Sequence, residues 1–322
     1  MLHITGFVAF VVVLGIMAPK HDAHYVFVET YNQSGWTNDG VSWLVGLVSS
    51  VYPFLGYDAA VHLSEEMENP ARHVPIAMVG SVIVNGIIGF GYCLMLLFSL
   101  GDLDSLLTSA TGFPFMQLFL NVTKSPTGAT IMTLIISLIA TATNSAGLTS
   151  TSRTAWSFAR DSALPFSSYF THIDERINVP KRMVVLVTIL QMLLGFIYLG
   201  SSTAFNAVLS MAILGVYASY LLPIVYMLLY GRRPGEHVFG PFRLGKLGGK
   251  IINVVAMVWL IFAMVFSMFP SYQPVTPANM NYSVVVLGGW IFFGAMYFFF
   301  FGRKTYSGPL LALSALLREQ TK

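Results

Sequence analysis

The residues best placed to do chemistry lie in one short run, Val51-Tyr52-Pro53-Phe54-Leu55-Gly56-Tyr57-Asp58, inside a long apolar stretch. Pro53 has no backbone N–H and Gly56 tolerates irregular dihedrals, so a helix can open here and leave carbonyls and amides without intrahelical partners. Inside a membrane such backbone persists only where it lines a cavity or binds something. Asp58 sits at the same depth, where a carboxylate is costly unless it is paired or wetted, which makes the position a candidate site. The simpler alternative is a Pro-kinked helix whose Asp58 bonds a neighbouring hydroxyl. Residue types alone leave both readings open.

The elements that must position this run are membrane helices. Of the 322 residues, 55% are apolar and 10% charged, with a mean hydropathy of +0.70, whereas soluble domains carry about 25% charged residues. Crossing the hydrocarbon core takes about 20 apolar residues. Stretches of that length fall near 2–18, 43–63, 75–100, 127–158, 183–200, 206–230, 250–269 and 283–301. The expected fold class is therefore an all-α integral membrane protein with about eight transmembrane helices. The connector 101–126, with Gly101, Asp102, Gly112, Pro114 and Pro126, reads as an ordered loop and not as a ninth span. The first span lacks a basic n-region and a small-x-small cleavage site before Pro19, so it reads as a membrane helix and not as a secretory signal.

Basic residues set the expected orientation. With the N-terminus inside, fifteen of the seventeen Lys and Arg fall on or near the cytoplasmic side, and only Lys20 and Lys124 fall outside. The three Asn-x-Ser/Thr sequons, at Asn32, Asn121 and Asn281, all lie in connectors that this orientation places outside. Asn281 lies close to its helix, so Asn32 and Asn121 are the glycosylation candidates, with Asn32 weighted most.

The fourth span is polar along much of its length, with Thr141, Thr143, Asn144, Ser145, Thr149, Ser150, Thr151 and Ser152. Small and hydroxylated residues let helices approach closely and bond across the interface, the expected role for most of them. Asn144 and Ser145 are site candidates. Arg153 and Arg160 lie seven apart, near one face at the cytoplasmic end of that span, and Glu65 and Glu66 sit at the cytoplasmic end of the Pro53 span. One such pair is expected to close an inner gate; the alternative is interfacial charges that snorkel to water. Pro223 reads as a kink, and 307–318 as either a short amphipathic helix on the inner face or a disordered tail.

Several functions find no support. Cys93 is the single cysteine, so there is no internal disulfide, Cys-based zinc site or CxxC motif. His21-Asp22-Ala23-His24 lacks a third fixed ligand for a metal. Gly245-Lys246-Leu247-Gly248-Gly249-Lys250 lacks the P-loop order. Neither HExxH, GxSxG nor a Cys-His pairing is present for an intramembrane enzyme. No cofactor, metal or nucleic-acid partner is expected.

The string GYDAAVHLSEEMENPARHVPIAM, residues 56–78, closely resembles the sixth-helix signature of the amino acid-polyamine-organocation permeases, especially their fungal choline, GABA and amino acid branch. ATATNSAGLTSTSRTAWSFARDSALPFSSYFTHID, residues 140–174, resembles that family's eighth helix and following loop. The resemblance implies a fold of two inverted five-helix repeats, with substrate held at the midplane by the first, broken helix of each repeat. Residues 1–302 then correspond to family helices five to twelve, a partial inverted-repeat permease fold, and 303–322 form a cytoplasmic tail. It further implies that Phe54, Leu55, Gly56, Tyr57 and Asp58 form the unwound half of the substrate site, with an aromatic able to hold an amine by a cation–π contact worth about 0.5 to 2 kcal/mol.

The expected activity is secondary transport of GABA, choline or a neutral amino acid by alternating access. The coupling ion is expected to be a proton, with Asp58, His62 and Glu66 as candidate carriers. The lysine that some family members carry in the fifth helix has no counterpart in residues 2–18. The first four family helices have no counterpart either, so a non-transporting fragment or accessory subunit is the alternative, as is a partner chain that supplies them. The expected location is the plasma membrane, with the vacuolar membrane second.

Overall fold

The computed structural model describes residues 2–231 and 239–308. Arg232 and Arg233, and the segment from 309 onward that holds most of the proposed tail helix with Arg318 and Lys322, lie outside the described residues. Seven helices among the described residues are long and apolar enough to cross a membrane, and an eighth apolar helix, α1 (Leu2–Met17), is 16 residues long. Exposed Leu, Ile, Val and Phe side chains recur along them. That is the pattern of helices bathed in lipid, where apolar exposure carries no penalty. The protein is an all-α, multi-pass membrane protein.

The chain forms two compact units. One holds Met1–Tyr31 and Val79–Gly147, the other Asn32–Met78 and Leu148–Lys322. The elements, in chain order, are α1, α2 (Asp39–Leu47), α3 (Pro70–Phe98), α4 (Pro114–Thr123), α5 (Pro126–Arg160), α6 (Lys181–Gly200), α7 (Ser202–Tyr226), α8 (Gly245–Ser267) and α9 (Ser283–Tyr297). Proline opens α3, α4 and α5 at a position where its missing N–H would have had no intrahelical acceptor. Starting at Pro70 and Gly245, α3 and α8 begin about five residues before the expected spans. Lys246 is therefore a helical residue and not loop.

In the first unit, α1 packs on α4. Phe10 stacks on Phe119 with ring centroids 5.5 Å apart, and Phe119, fully buried, also meets Met132. A second cluster gathers Leu14, Ala18, Leu106, Leu118 and Val122. The connector 101–126 is thus more than a loop: Leu103–Leu107 and α4 are helical. Leu118, Phe119 and Val122 share one face of α4 and bury it, while ten residues are too few to span. Beside it Lys20 reaches the Leu14 carbonyl at 2.5 Å and Ser99 Oγ at 2.9 Å, a cation between the C-terminal ends of α1 and α3. Partial burial there pushes its ammonium below the usual lysine value.

The polar span α5 is satisfied mainly from within. The hydroxyls of Thr133, Ser137, Thr141, Thr143 and Ser145 each donate to the carbonyl four residues earlier, at 2.8 to 3.0 Å. Of the residues expected to bond across a helix interface, Thr141, Thr143 and Ser145 thus have an acceptor within their own helix. Back-bonding removes the cost of an unpaired hydroxyl in lipid without needing a neighbour.

In the second unit, Val51, Ile213, Tyr217, Leu260 and Ala263 form a core that joins the Pro53 span to α7 and α8. Ala159, Met183 and Val187 join α5 to α6. Pro223, four residues after Ser219, has no N–H for that residue's carbonyl. The helix widens into a π turn at Met227–Gly231 shortly afterwards.

Candidate functional site

The Pro53 span is broken. Asn38 caps α2, its side chain accepting from the Val41 N–H at 3.2 Å. From Val48 the helix tightens into two single 3₁₀ turns, Val48–Ser50 and Tyr52–Phe54. Pro53 has no N–H to give Ser49, and the chain leaves the helix at Leu55, which is extended (φ −69°, ψ 146°). Gly56 follows in the left-handed region (φ 83°, ψ 8°) and a 3₁₀ helix resumes over Tyr57–Glu66. Among the described residues the N–H groups of Gly56 and Tyr57 meet no backbone acceptor. These are the freed donors that the residue types suggest.

Aromatic and charged groups collect beside the break. The Tyr57 ring lies 5.3 Å from that of Tyr220 on α7, which in turn lies 6.3 Å from Tyr217. Asp58 Oδ2 is 3.2 Å from His62 Nε2, one helical turn on, and both side chains are partly exposed. The Tyr220 hydroxyl is buried without a partner at strict hydrogen-bond geometry, while Asp58 and Tyr57 both face it. Phe54 is partly exposed beside the break and Leu55 packs into the core with α7 and α8.

Tyr217 and Tyr220 are absent from the candidates read off the sequence. The available signal was their i, i+3 spacing, which puts both hydroxyls on one face of an otherwise apolar span. Asn144 and Ser145 lie on α5 in the first unit. Asn144 is exposed, and Ser145 Oγ donates to Thr141 O at 3.0 Å.

Among the described residues, one of the candidate gate pairs is seen. Arg153 makes an ion pair with Glu66 at the end of the 3₁₀ helix and donates to the Asn178 carbonyl at 3.3 Å. Arg160 lies over the Trp156 ring at 5.1 Å, with Nε 3.7 Å from Asp161. The Glu65 side chain lies outside the described set. Glu66 is half exposed, which limits its ion pair to about 0.2–1 kcal/mol. A double-mutant cycle of Glu66→Gln and Arg153→Gln, read by thermal unfolding of the purified protein, is expected to return a coupling energy in that range. A coupling above about 2 kcal/mol would indicate a fixed structural bridge in place of a contact weak enough to open and close.

Among the described residues no group of three or more His, Cys, Asp or Glu is placed to hold a metal. Of the sequons, Asn121 is exposed, with its carboxamide in reach of Gln117 and Ser105. Asn281 donates to the Ser267 and Phe269 carbonyls.

A broken span flanked by aromatic and acidic groups thus lies in an all-α, multi-pass membrane protein. The amino acid permease family model matches residues 1–292, and the chain belongs to that family. It is 33% identical over 309 residues to a choline transporter of Saccharomyces cerevisiae, covering 95% of this chain and 54% of the relative. It is 33% identical to amino-acid permease 2 of Neurospora crassa, covering 90% and 52% respectively. The GABA-specific permease of Saccharomyces cerevisiae is 31% identical, covering 92% and 52%. The chain spans about half the length of these curated relatives.

Proposed function

We propose that this chain forms the substrate-binding and gating core of a secondary permease for a small amine or amino acid. The observation that carries the reading is the break at Leu55–Gly56, which brings free backbone N–H groups, the Asp58 carboxylate and the Tyr57–Tyr220 ring pair together. The N–H groups suit a substrate carboxylate. Asp58 and the ring faces suit an ammonium. Phe54 covers the bound substrate. A proton is the coupling ion, held between Asp58 and His62, with Glu66 released or captured as its pair with Arg153 opens or forms. The relatives' names point to choline, GABA and amino acids; we take choline, GABA and a neutral amino acid as the substrates to try first, and the plasma membrane before the vacuolar membrane as the location.

The test is uptake of radiolabelled GABA, choline and a neutral amino acid, with and without a proton gradient, in cells that lack endogenous carriers for them. Saturable, gradient-dependent uptake of one of the three supports the reading. Because the chain spans about half its relatives' length, a second reading is a polypeptide that works only beside a partner chain. It predicts no uptake alone and uptake on co-expression with the segment of a relative that this chain does not cover.

A further inference from the structure

The Asn32 loop does something that its sequon does not announce. Both hydrogens of its carboxamide nitrogen are engaged, one with the Trp36 carbonyl at 2.9 Å and one with Asp39 Oδ1 at 2.8 Å. Its oxygen accepts from the Ser34 N–H at 3.2 Å and from the Ser34 and Ser42 hydroxyls at 2.7 and 3.0 Å. The acceptors on one side and the backbone donor on the other fix which end of the amide is nitrogen. Asp39 and Ser42 lie on α2, so the carboxamide ties the loop to the leading half of the broken helix.

The other side of the loop grips the segment that follows α8. The Gln273 N–H donates to the Ser34 carbonyl at 2.7 Å and the Trp36 indole N–H donates to the Pro270 carbonyl at 3.3 Å. The Trp36 ring lies 5.8 Å from that of Phe269. Gly35, at φ 76°, lies so close to the Gln273 carbonyl that a Cβ would overlap it. Only glycine fits both the dihedral and the space. Deeper in the same unit Val48, Val51 and Leu55 pack against Leu260, Ala263 and Met264 of α8.

We propose that residues 32–36 are a staple that makes the leading half of the broken helix and the end of α8 move as one body, and that Asn32 carries no glycan in the folded protein. N-glycosylation replaces one hydrogen of the carboxamide nitrogen with a sugar carbon. That would break the bond to Trp36 or to Asp39 and require the space its partner fills. The bonds that form the staple lie apart from the Tyr57–Tyr220 cluster, so the inference stands whether or not the chain transports.

Two measurements on the full chain, purified from membranes, test it. Peptide mass analysis is expected to find Asn32 unmodified, and a glycan there overturns the proposal. Hydrogen–deuterium exchange is expected to show 32–47 and 268–273 protected together. Asn32→Asp places a second carboxylate beside Asp39 and should speed exchange in both segments by roughly tenfold. Trp36→Phe keeps an aromatic ring beside Phe269 but removes the indole donor, and should speed both segments by a smaller factor if Asn32→Asp fails to fold. Faster exchange in one segment with the other unchanged overturns the coupling.

Discussion

Replacing Asp58 with asparagine is expected to reduce uptake by about tenfold to one hundredfold and to flatten its dependence on external pH. The substitution keeps the shape and removes the charge, so the His62 contact at 3.2 Å loses its anionic partner and the Tyr220 hydroxyl faces a neutral group. Contacts to a charged group are worth about 1.5–3 kcal/mol, and each 1.4 kcal/mol is tenfold. The split between parameters separates the roles. If Asp58 holds the substrate ammonium, KM rises most. If it carries the coupling proton, the pH profile flattens with KM little changed. Uptake and pH dependence both equal to wild type would make Asp58 a structural partner of His62 and sink the coupling assignment. His62→Gln is the companion variant, because it removes the imidazole and leaves the carboxylate.

The second large effect is expected at Gly56. Its φ of 83° lies in the left-handed region, where an L side chain costs about 1–2 kcal/mol, and a β-branched one costs more. No atom lies within 4 Å of the position a Cβ would take, so the penalty is one of backbone and not of packing. The expected order of thermal stability is therefore Gly, then Asn, then Ala, then Val, because asparagine tolerates this conformation better than other non-glycine residues. Uptake should fall in the same order, since a strained break resets the direction of the Gly56 and Tyr57 N–H groups. Equal stability of the Ala and Val variants with wild type, measured in one lipid nanodisc composition, would mean that the chain does not turn at Gly56 in the membrane.

The two experiments probe different links of the same chain of causes. Gly56 acts on geometry, through the dihedral that a missing Cβ allows. Asp58 acts on charge, through what that geometry presents to a ligand. A protein in which Gly56→Ala is harmful and Asp58→Asn harmless would keep the broken helix and lose the proposed chemistry.

Much of the architecture was legible in the residues alone, because lipid imposes a simple rule. A segment must be helical and about 20 apolar residues long, and that pattern can be counted directly. Seven of the eight expected spans appear with the required length, and α1 is shorter. The break was legible for the same reason. Proline and glycine three residues apart remove a donor and permit a left-handed dihedral wherever they fall, so Leu55–Gly56 opens through local chemistry. The reach of α4 was not legible, because a ten-residue helix carries little periodic signal and gains its order from Phe10 and Met132, which are distant in sequence.

Which groups surround the break depended on tertiary structure. Tyr220 lies more than 160 residues from Tyr57, and only the packing of α7 on the broken helix brings their rings together. The choice of Arg153 over Arg160 as the partner of Glu66 was equally hidden. Both arginines share a helix face in sequence, and the Trp156 ring and Asp161 engage one of them before the glutamate can. At Asn32 the sequence displays a sequon, while the fold turns the same carboxamide into a knot of five hydrogen bonds. Sequence thus determined what a segment can do by itself in lipid: span, break or turn. Tertiary structure decided which side chains meet, because hydrogen bonds, ion pairs and ring contacts between distant residues exist only after their helices have packed.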